Sequence, residues 1–129
     1  MLDARDRKLR RRVALGRAGE AIAARHLETS GFTILERNVV AGGVELDIVA
    51  REAGCIVFVE VRARATSRFG DPALSVDGAK QRRLARGAHA WLRLKGAAGW
   101  RARFDVVGVV WEAGRPRISH YRDAFSSPF

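Results

Sequence analysis

The stretch CIVFVEVRAR, Cys55 to Arg64, limits the fold of this chain more than any other. Ile56, Val57, Phe58, Val59 and Val61 make it a buried β-strand, yet Glu60 stands inside the run and Arg62 follows it. A carboxylate within an apolar strand is costly unless something pairs with it. The strand therefore needs a neighbour that brings a partner to Glu60, and the nature of that partner is the functional question.

The neighbour is VELDIVA, Val44 to Ala50. Its alternation sets Val44, Leu46 and Ile48 on one face and Glu45, Asp47 and Val49 on the other. REAG, Arg51 to Gly54, separates the two runs and reads as a hairpin loop longer than a two-residue turn. With that loop Ala50 pairs with Cys55, Asp47 faces Phe58, and Glu45 faces Glu60. Asp47 and Glu60 are then diagonal neighbours, roughly 7–8 Å apart at the backbone. Phe58, Glu60 and Arg62 share a face.

Two converging carboxylates repel, and one of them tends to take up a proton. A bound Mg²⁺ or Mn²⁺ removes the conflict, since hard cations take oxygen ligands. Such an ion generates a hydroxide nucleophile and neutralises charge on a phosphate. Arg62, beside Glu60, can hold that phosphate. The competing reading is structural, with Glu60 paired to Arg62, Arg64 or Arg103 in an ion network at a sheet edge.

The remaining elements follow from their punctuation. RDRKLRRR, Arg5 to Arg12, is a basic run that reads as a frayed helix start or a flexible arm. A helix follows from Gly16 and stops near Gly31, with Glu20, Ala23, Ala24 and Leu27 on one face. FTILERNVV is the first strand, with Phe32, Ile34 and Glu36 in step on one face, and Ala41 to Gly43 marks a turn. After an irregular stretch around Gly70 and Pro72, a second helix starts near Ser75 or Asp77 and ends at Gly96. Arg101 to Trp111 is a strand, and a short strand and turn close the chain. Helices and strands mixed around one sheet predict an α/β sandwich. The expected organisation is a basic arm or helix start over 1–15, one domain over 16–125, and a tail over 126–129.

Size and charge agree with one globular domain: 129 residues, 47% hydrophobic and 29% charged. The formal net charge is +10, from 24 Lys and Arg against 14 Asp and Glu. That surplus points to a polyanionic partner, nucleic acid before an anionic membrane surface. The single cysteine, Cys55, excludes an intrachain disulfide and a Cys-based zinc site, and suits core packing. No apolar run reaches the roughly 20 residues of a membrane span. No secretory signal is visible, so a soluble cytoplasmic protein with no membrane role is expected.

The two acidic strands, VELDIVA and VFVEVRAR, resemble the PD-(D/E)xK signature of restriction-endonuclease-like nucleases. More narrowly, the chain is similar to the YraN-like family of uncharacterised proteins, itself similar to Holliday-junction resolvases. The matching segments are GRAGEAIAARHLETSGFTILERN, GGVELDIVA, VFVEVRAR, FGDPALSVDGAKQRRL, RFDVVGV and ISHYRDAF. The resemblance implies a restriction-endonuclease-like α/β/α sandwich with a central mixed sheet. It implies a metal site at Asp47 and Glu60, joined by Glu20 and by the backbone carbonyl of Val61. It implies Mg²⁺ or Mn²⁺ as cofactor, DNA as partner, and a homodimer to match a symmetric junction. Glu45 falls in the family's acidic motif, although Val44 alters the turn before it.

Arg62 departs from the signature, which has Lys there. Arg keeps the charge and clamps phosphate but does not serve as a base. Arg62, Arg64, Lys80, Gln81 and Arg83 are the expected nucleic-acid contacts, against a solvated helix face for the last three. Arg103 and Asp105 read as a structural pair. His26, His89 and His120 lack metal-ligand spacing, and Trp91 and Trp111 fit apolar faces. No phosphate-binding Gly loop is present. The expected function is metal-dependent phosphodiester hydrolysis on DNA, with catalysis at Asp47, Glu60 and Arg62. A non-catalytic nucleic-acid-binding protein of the same fold is the alternative, and a protein-binding adaptor is a third.

Overall fold

Asp3 caps the first helix by accepting from the Asp6 amide at 2.9 Å, so α1 begins at Ala4 and runs to Thr29. The computed structural model, which describes residue 1 and residues 3–127, thus places the basic run inside α1. The last two residues of the expected 126–129 tail lie outside the described residues. After α1 come β1 (Thr33–Ala41), β2 (Val44–Glu52) and β3 (Cys55–Arg64). Two short 3-10 turns, Ser67–Phe69 and Pro72–Ser75, lead into α2 (Gly78–Leu94), and β4 (Ala102–Glu112) and β5 (Arg115–Phe125) complete the chain.

The five strands form one sheet in sequence order, β1-β2-β3-β4-β5. All neighbours are antiparallel except β3 and β4, which are parallel because α2 crosses over between them. The first six residues of β3 are buried on both faces of the sheet, which explains its near-continuous apolar run. On one face Ala23, Ala24 and Leu27 of α1 pack on Ile48, Ala50, Val57, Val59, Val107 and Val109. On the other, Leu84, Ala85, Ala88 and Trp91 of α2 pack on Val44, Leu46, Ile56, Phe58 and Phe104. The architecture is an α/β sandwich, as the order of elements predicts.

Three local features differ from the pattern read in the sequence. The β2–β3 turn has only two residues, Ala53 and Gly54, at φ 49° and 76°. The register is therefore Glu52↔Cys55 and Ala50↔Val57, not Ala50↔Cys55. The shift is two residues, so by itself it moves no side chain to the other face. A left-handed pair matches the strand twist, and Gly54 supplies half of it without strain.

The second feature lies in β1, where the register slips between Ile34 and Glu36 and leaves Leu35 as a bulge. Phe32 and Ile34 face α1, whereas Glu36 turns to α2 and accepts from the Trp91 indole at 3.2 Å. The third is a break in β2. Leu46 packs on the α2 side but Ile48 packs on the α1 side, so alternation fails at Asp47. Asn38, between the partners of Leu46 and Ile48, has φ 52°, a conformation Asn tolerates better than most residues.

Candidate functional site

The break at Asp47 builds the site. Ladder pairing between β2 and β3 runs from the turn as far as Ile48↔Val59. One step further, where Asp47 would oppose Glu60, the Val61 amide turns to the Asp47 side chain and donates to Oδ2 at 2.9 Å. Asp47 is thus set in a gap between two strands, at the point where its own strand changes face. It neighbours Glu60 on β3 and Glu20 on α1 closely enough for its charge to raise both carboxyls. Three carboxyl groups stand in a row with Asp47 at the centre.

Glu20 arrives there because it shares the stripe of Ala23, Ala24 and Leu27, and Leu27 is fully buried. With its amide nitrogen turned toward Glu20, Asn38 donates to both carboxylate oxygens at 3.1 Å. Asn38, whose left-handed backbone accompanies the break in β2, thus also steadies the third acid through its side chain.

Glu60 is only 5% exposed. Burial pushes its carboxyl up to about 8, helped by the charge and hydrogen bond of Asp47; Lys80 and Arg62 oppose the rise. Partial burial, then the charge of Asp47, also raises Glu20, against the bond from Asn38. Two cations reach Glu60 Oε2: Arg62 Nε at 3.2 Å and Lys80 Nζ at 3.5 Å. The Arg62 Nε is buried and has no hydrogen bond of good geometry, so this contact is electrostatic. Lys80 is delivered by α2, whose cap Asp77 accepts from the Lys80 amide at 2.9 Å.

The sequence-predicted residues divide accordingly. Asp47, Glu60, Glu20, Arg62 and Lys80 come together. Val61 contributes its amide to Asp47. Gln81 is engaged elsewhere, donating to the Val76 carbonyl at 3.1 Å, where it ties α2 to the preceding turn. Arg64 lies two residues beyond Arg62 on the same strand face, and Arg83 is exposed one turn beyond Lys80. Glu45 pairs with Val40 in the β1–β2 ladder and is exposed, so it does not face Glu60.

The donors present are carboxylate oxygens, which suit a hard divalent cation. Among the described residues no group of three or more His, Cys, Asp or Glu side chains is arranged to hold a metal ion. In this structure Glu60 Oε2 meets Lys80 and Arg62 instead. A hollow of about 440 Å³ is lined by Ala73, Leu74, Val76, Gln81, Tyr121 and Val106, and by none of the three acids. Its link to them is Val106, the β4 partner of Glu60.

A second charged cluster escapes sequence reasoning. Asp105 is fully buried and accepts from Arg103 Nε at 2.9 Å and from the Asp123 amide at 3.0 Å. His120 Nε2 lies 2.9 Å from its other oxygen, and His120 Nδ1 lies 3.2 Å from His26 Nε2. Burial would raise Asp105, but the His120 and Arg103 bonds and the Asp123 amide hold it below the usual range. Arg103 also reaches Glu52 at 2.9 Å. The Arg103–Asp105 pair matches the structural reading. The 94 residues between His26 and His120 hide their contact.

Among the described residues no helix is long and apolar enough to cross a membrane. A family model described as "Uncharacterised protein family UPF0102" matches residues 19–109. A UPF0102 protein of Geobacter metallireducens is 41% identical over 112 residues, covering 87% of this chain and 92% of its own. One from Geobacter sulfurreducens is 44% identical over 112 residues, with 86% and 88% covered. One from Rhodococcus jostii is 44% identical over 114 residues, with 88% and 97% covered.

Proposed function

The chain belongs to the uncharacterised protein family UPF0102, and we propose that it is a metal-dependent nuclease that hydrolyses phosphodiester bonds in DNA. The observation that carries this reading is the row Glu20–Asp47–Glu60, buried at one end and flanked by Arg62 and Lys80. Such a row is a poor structural device. Asp47 raises the proton affinity of Glu20 and of Glu60, and such a row costs stability when ionised. A divalent cation turns the same arrangement into a favourable one.

Asp47, Glu60 and Glu20 would hold Mg²⁺ or Mn²⁺, which when bound supplies an activated water and neutralises phosphate charge. The chain's own groups do the rest. The Val61 amide fixes Asp47 Oδ2 and so orients its carboxylate. Arg62 and Lys80, released from Glu60, hold the phosphate between β3 and α2. Arg62 does not act as a base, so its part is confined to the phosphate. Arg64 and Arg83 extend the cationic rim along the substrate. The hollow beside Val106 accommodates the nucleotide next to the cut. The resemblance to resolvases makes branched DNA the first substrate class to examine, with a homodimer to match its symmetry and the cytoplasm as the setting.

One observation favours a second reading. Glu60 already has two cations in reach. An ion pair made permanent would leave a DNA-binding protein with the nuclease fold and no catalysis. The test is cleavage of a four-way junction and of linear duplex in Mg²⁺ or Mn²⁺. The parent is expected to cut, and Asp47→Ala and Glu60→Ala to lose at least a hundredfold while still binding DNA. Variants that cut like the parent would remove the site, and a parent that binds without cutting would establish the second reading.

A further inference from the structure

α1 is longer than the sheet it packs on. It passes close to β3 at Gly19, where a Cβ would stand 2.6 Å from that of Ala63, next to the end of β3 at Arg64. From Leu15 back to Ala4 the helix continues past that point, and Ala4 to Ala14 are exposed throughout. Eleven helical residues make an overhang of about 16 Å. It lies outside the 19–109 span that the family model matches.

Residues 1–17 carry seven Arg and Lys against two Asp, a surplus of five, which is half of the chain's +10. Within it Lys8 and Arg12 stand at i, i+4, while Arg5 and Lys8, and Lys8 and Arg11, stand at i, i+3. Each like-charged pair costs an exposed helix about 0.2–0.5 kcal/mol. The surplus of five leaves the overhang with a net positive charge that an external polyanion can meet.

The direction of the overhang is fixed by helical spacing. Leu9, Val13, Gly16 and Glu20 fall at i, i+4, i+7 and i+11, on one stripe. The overhang thus presents toward its partner the same face on which Glu20 meets Asp47. Arg5 and Arg12 border that stripe on one side, and Arg10 and Arg17 border it on the other. A rod of negative charge laid across the acidic site would run between two rows of guanidinium groups. Duplex DNA carries about one charge per 1.7 Å of axis, so a length of duplex equal to the overhang carries about nine phosphates on its two strands.

We propose that this overhanging half of α1 is a DNA-docking arm, which grips duplex backbone beside the acidic site and supplies much of the chain's affinity without sequence preference. The proposal rests on the reading above in taking DNA as the polyanion, but not on cleavage. The arm touches phosphate, so it sets affinity and register rather than base choice.

The experiment is binding of a labelled 30-base-pair duplex to the full chain, without divalent metal, across a series of KCl concentrations. The parent is compared with a variant carrying Arg5, Lys8, Arg10, Arg11 and Arg12 all changed to Gln. A second variant with the four Arg changed to Lys keeps the charge. Gln is a good helix former and the sites are exposed, and circular dichroism checks that the helix is retained. The Gln variant is expected to bind about tenfold or more weakly near 0.1 M salt. Its log–log salt slope should fall by about 0.9 for each phosphate that the arm no longer neutralises. The Lys variant should bind nearly as the parent does. Equal affinity and slope in parent and Gln variant would overturn the arm while leaving the proposed function standing. The same holds if the Gln change abolishes binding to anionic vesicles, or self-association in sedimentation, and spares DNA. A parent that fails to bind any DNA would overturn both.

Discussion

Glu60→Gln separates an acid kept for a cation from an acid kept for structure. In the folded protein burial and Asp47 push Glu60 up to about 8, from an ordinary value of 4.5. The folded state therefore holds this proton more tightly than the unfolded state does. The corresponding stability is fully present below about pH 4.5 and is lost as pH rises through about 8. The loss is at most about 1.4 kcal/mol per pH unit over that window, a few kcal/mol in all. Gln keeps the shape and cannot ionise. The cations it would leave behind, Arg62 and Lys80, are about one-third exposed and can turn to water. The variant should match the parent near pH 5 and exceed it by a few kcal/mol near pH 8.5. Urea unfolding at half-unit pH steps, without divalent metal, reads the difference. His26, whose affinity for protons is lowered by burial, works the other way below about pH 6.5. It acts alike in both proteins and cancels. Parallel profiles for parent and variant would refute the reasoning, because Glu60 would then ionise at no cost.

Two further substitutions test how the site is held. Gly19→Ala gains about 1 kcal/mol of helix propensity, but its Cβ meets that of Ala63 at 2.6 Å. Overpacking of this kind costs about 1–3 kcal/mol. The net effect should be a lower melting temperature together with weaker metal binding, as α1 shifts Glu20 from Asp47. Asp105→Ala strips a fully buried carboxylate from Arg103, His120 and the Asp123 amide. It should cost about 3–5 kcal/mol in urea unfolding. Metal affinity below the unfolding transition should not change, since Asp105 is not among the groups that meet Asp47.

The sandwich and the acidic pair are both written in local pattern. Apolar spacing, Gly stops and one near-continuous strand are enough to order the elements. Asp47 and Glu60 stand out because a carboxylate in such a strand demands a partner. The length of the hairpin loop is not legible, since Ala53 carries no sign of the left-handed backbone it adopts. The acidic pair tolerates that difference because a slip of two residues preserves faces. What stays hidden depends on irregular backbone or on distance along the chain. The bulge at Leu35 turns Glu36 to the opposite face, and no composition marks it. The change of face at Asp47 lets one carboxylate meet acids on both sides of the sheet, which strict alternation forbids. Lys80 is legible only as a polar helix residue, because its meeting with Glu60 depends on how the β3–α2–β4 crossover folds back. The His26–Asp105 cluster joins both ends of the chain, where spacing has no purchase.

Calorimetric titration of Mg²⁺ and of Mn²⁺ into the parent and into Asp47→Ala, at pH 6 and at pH 8.5, shows whether the three acids form a metal site. Carboxylates must lose their protons to bind metal, and Glu60 holds its proton up to about 8. The account predicts saturable binding by the parent, markedly tighter at pH 8.5 than at pH 6, and none by Asp47→Ala. Equal binding by the variant, or no binding by the parent even with junction DNA present, would contradict it.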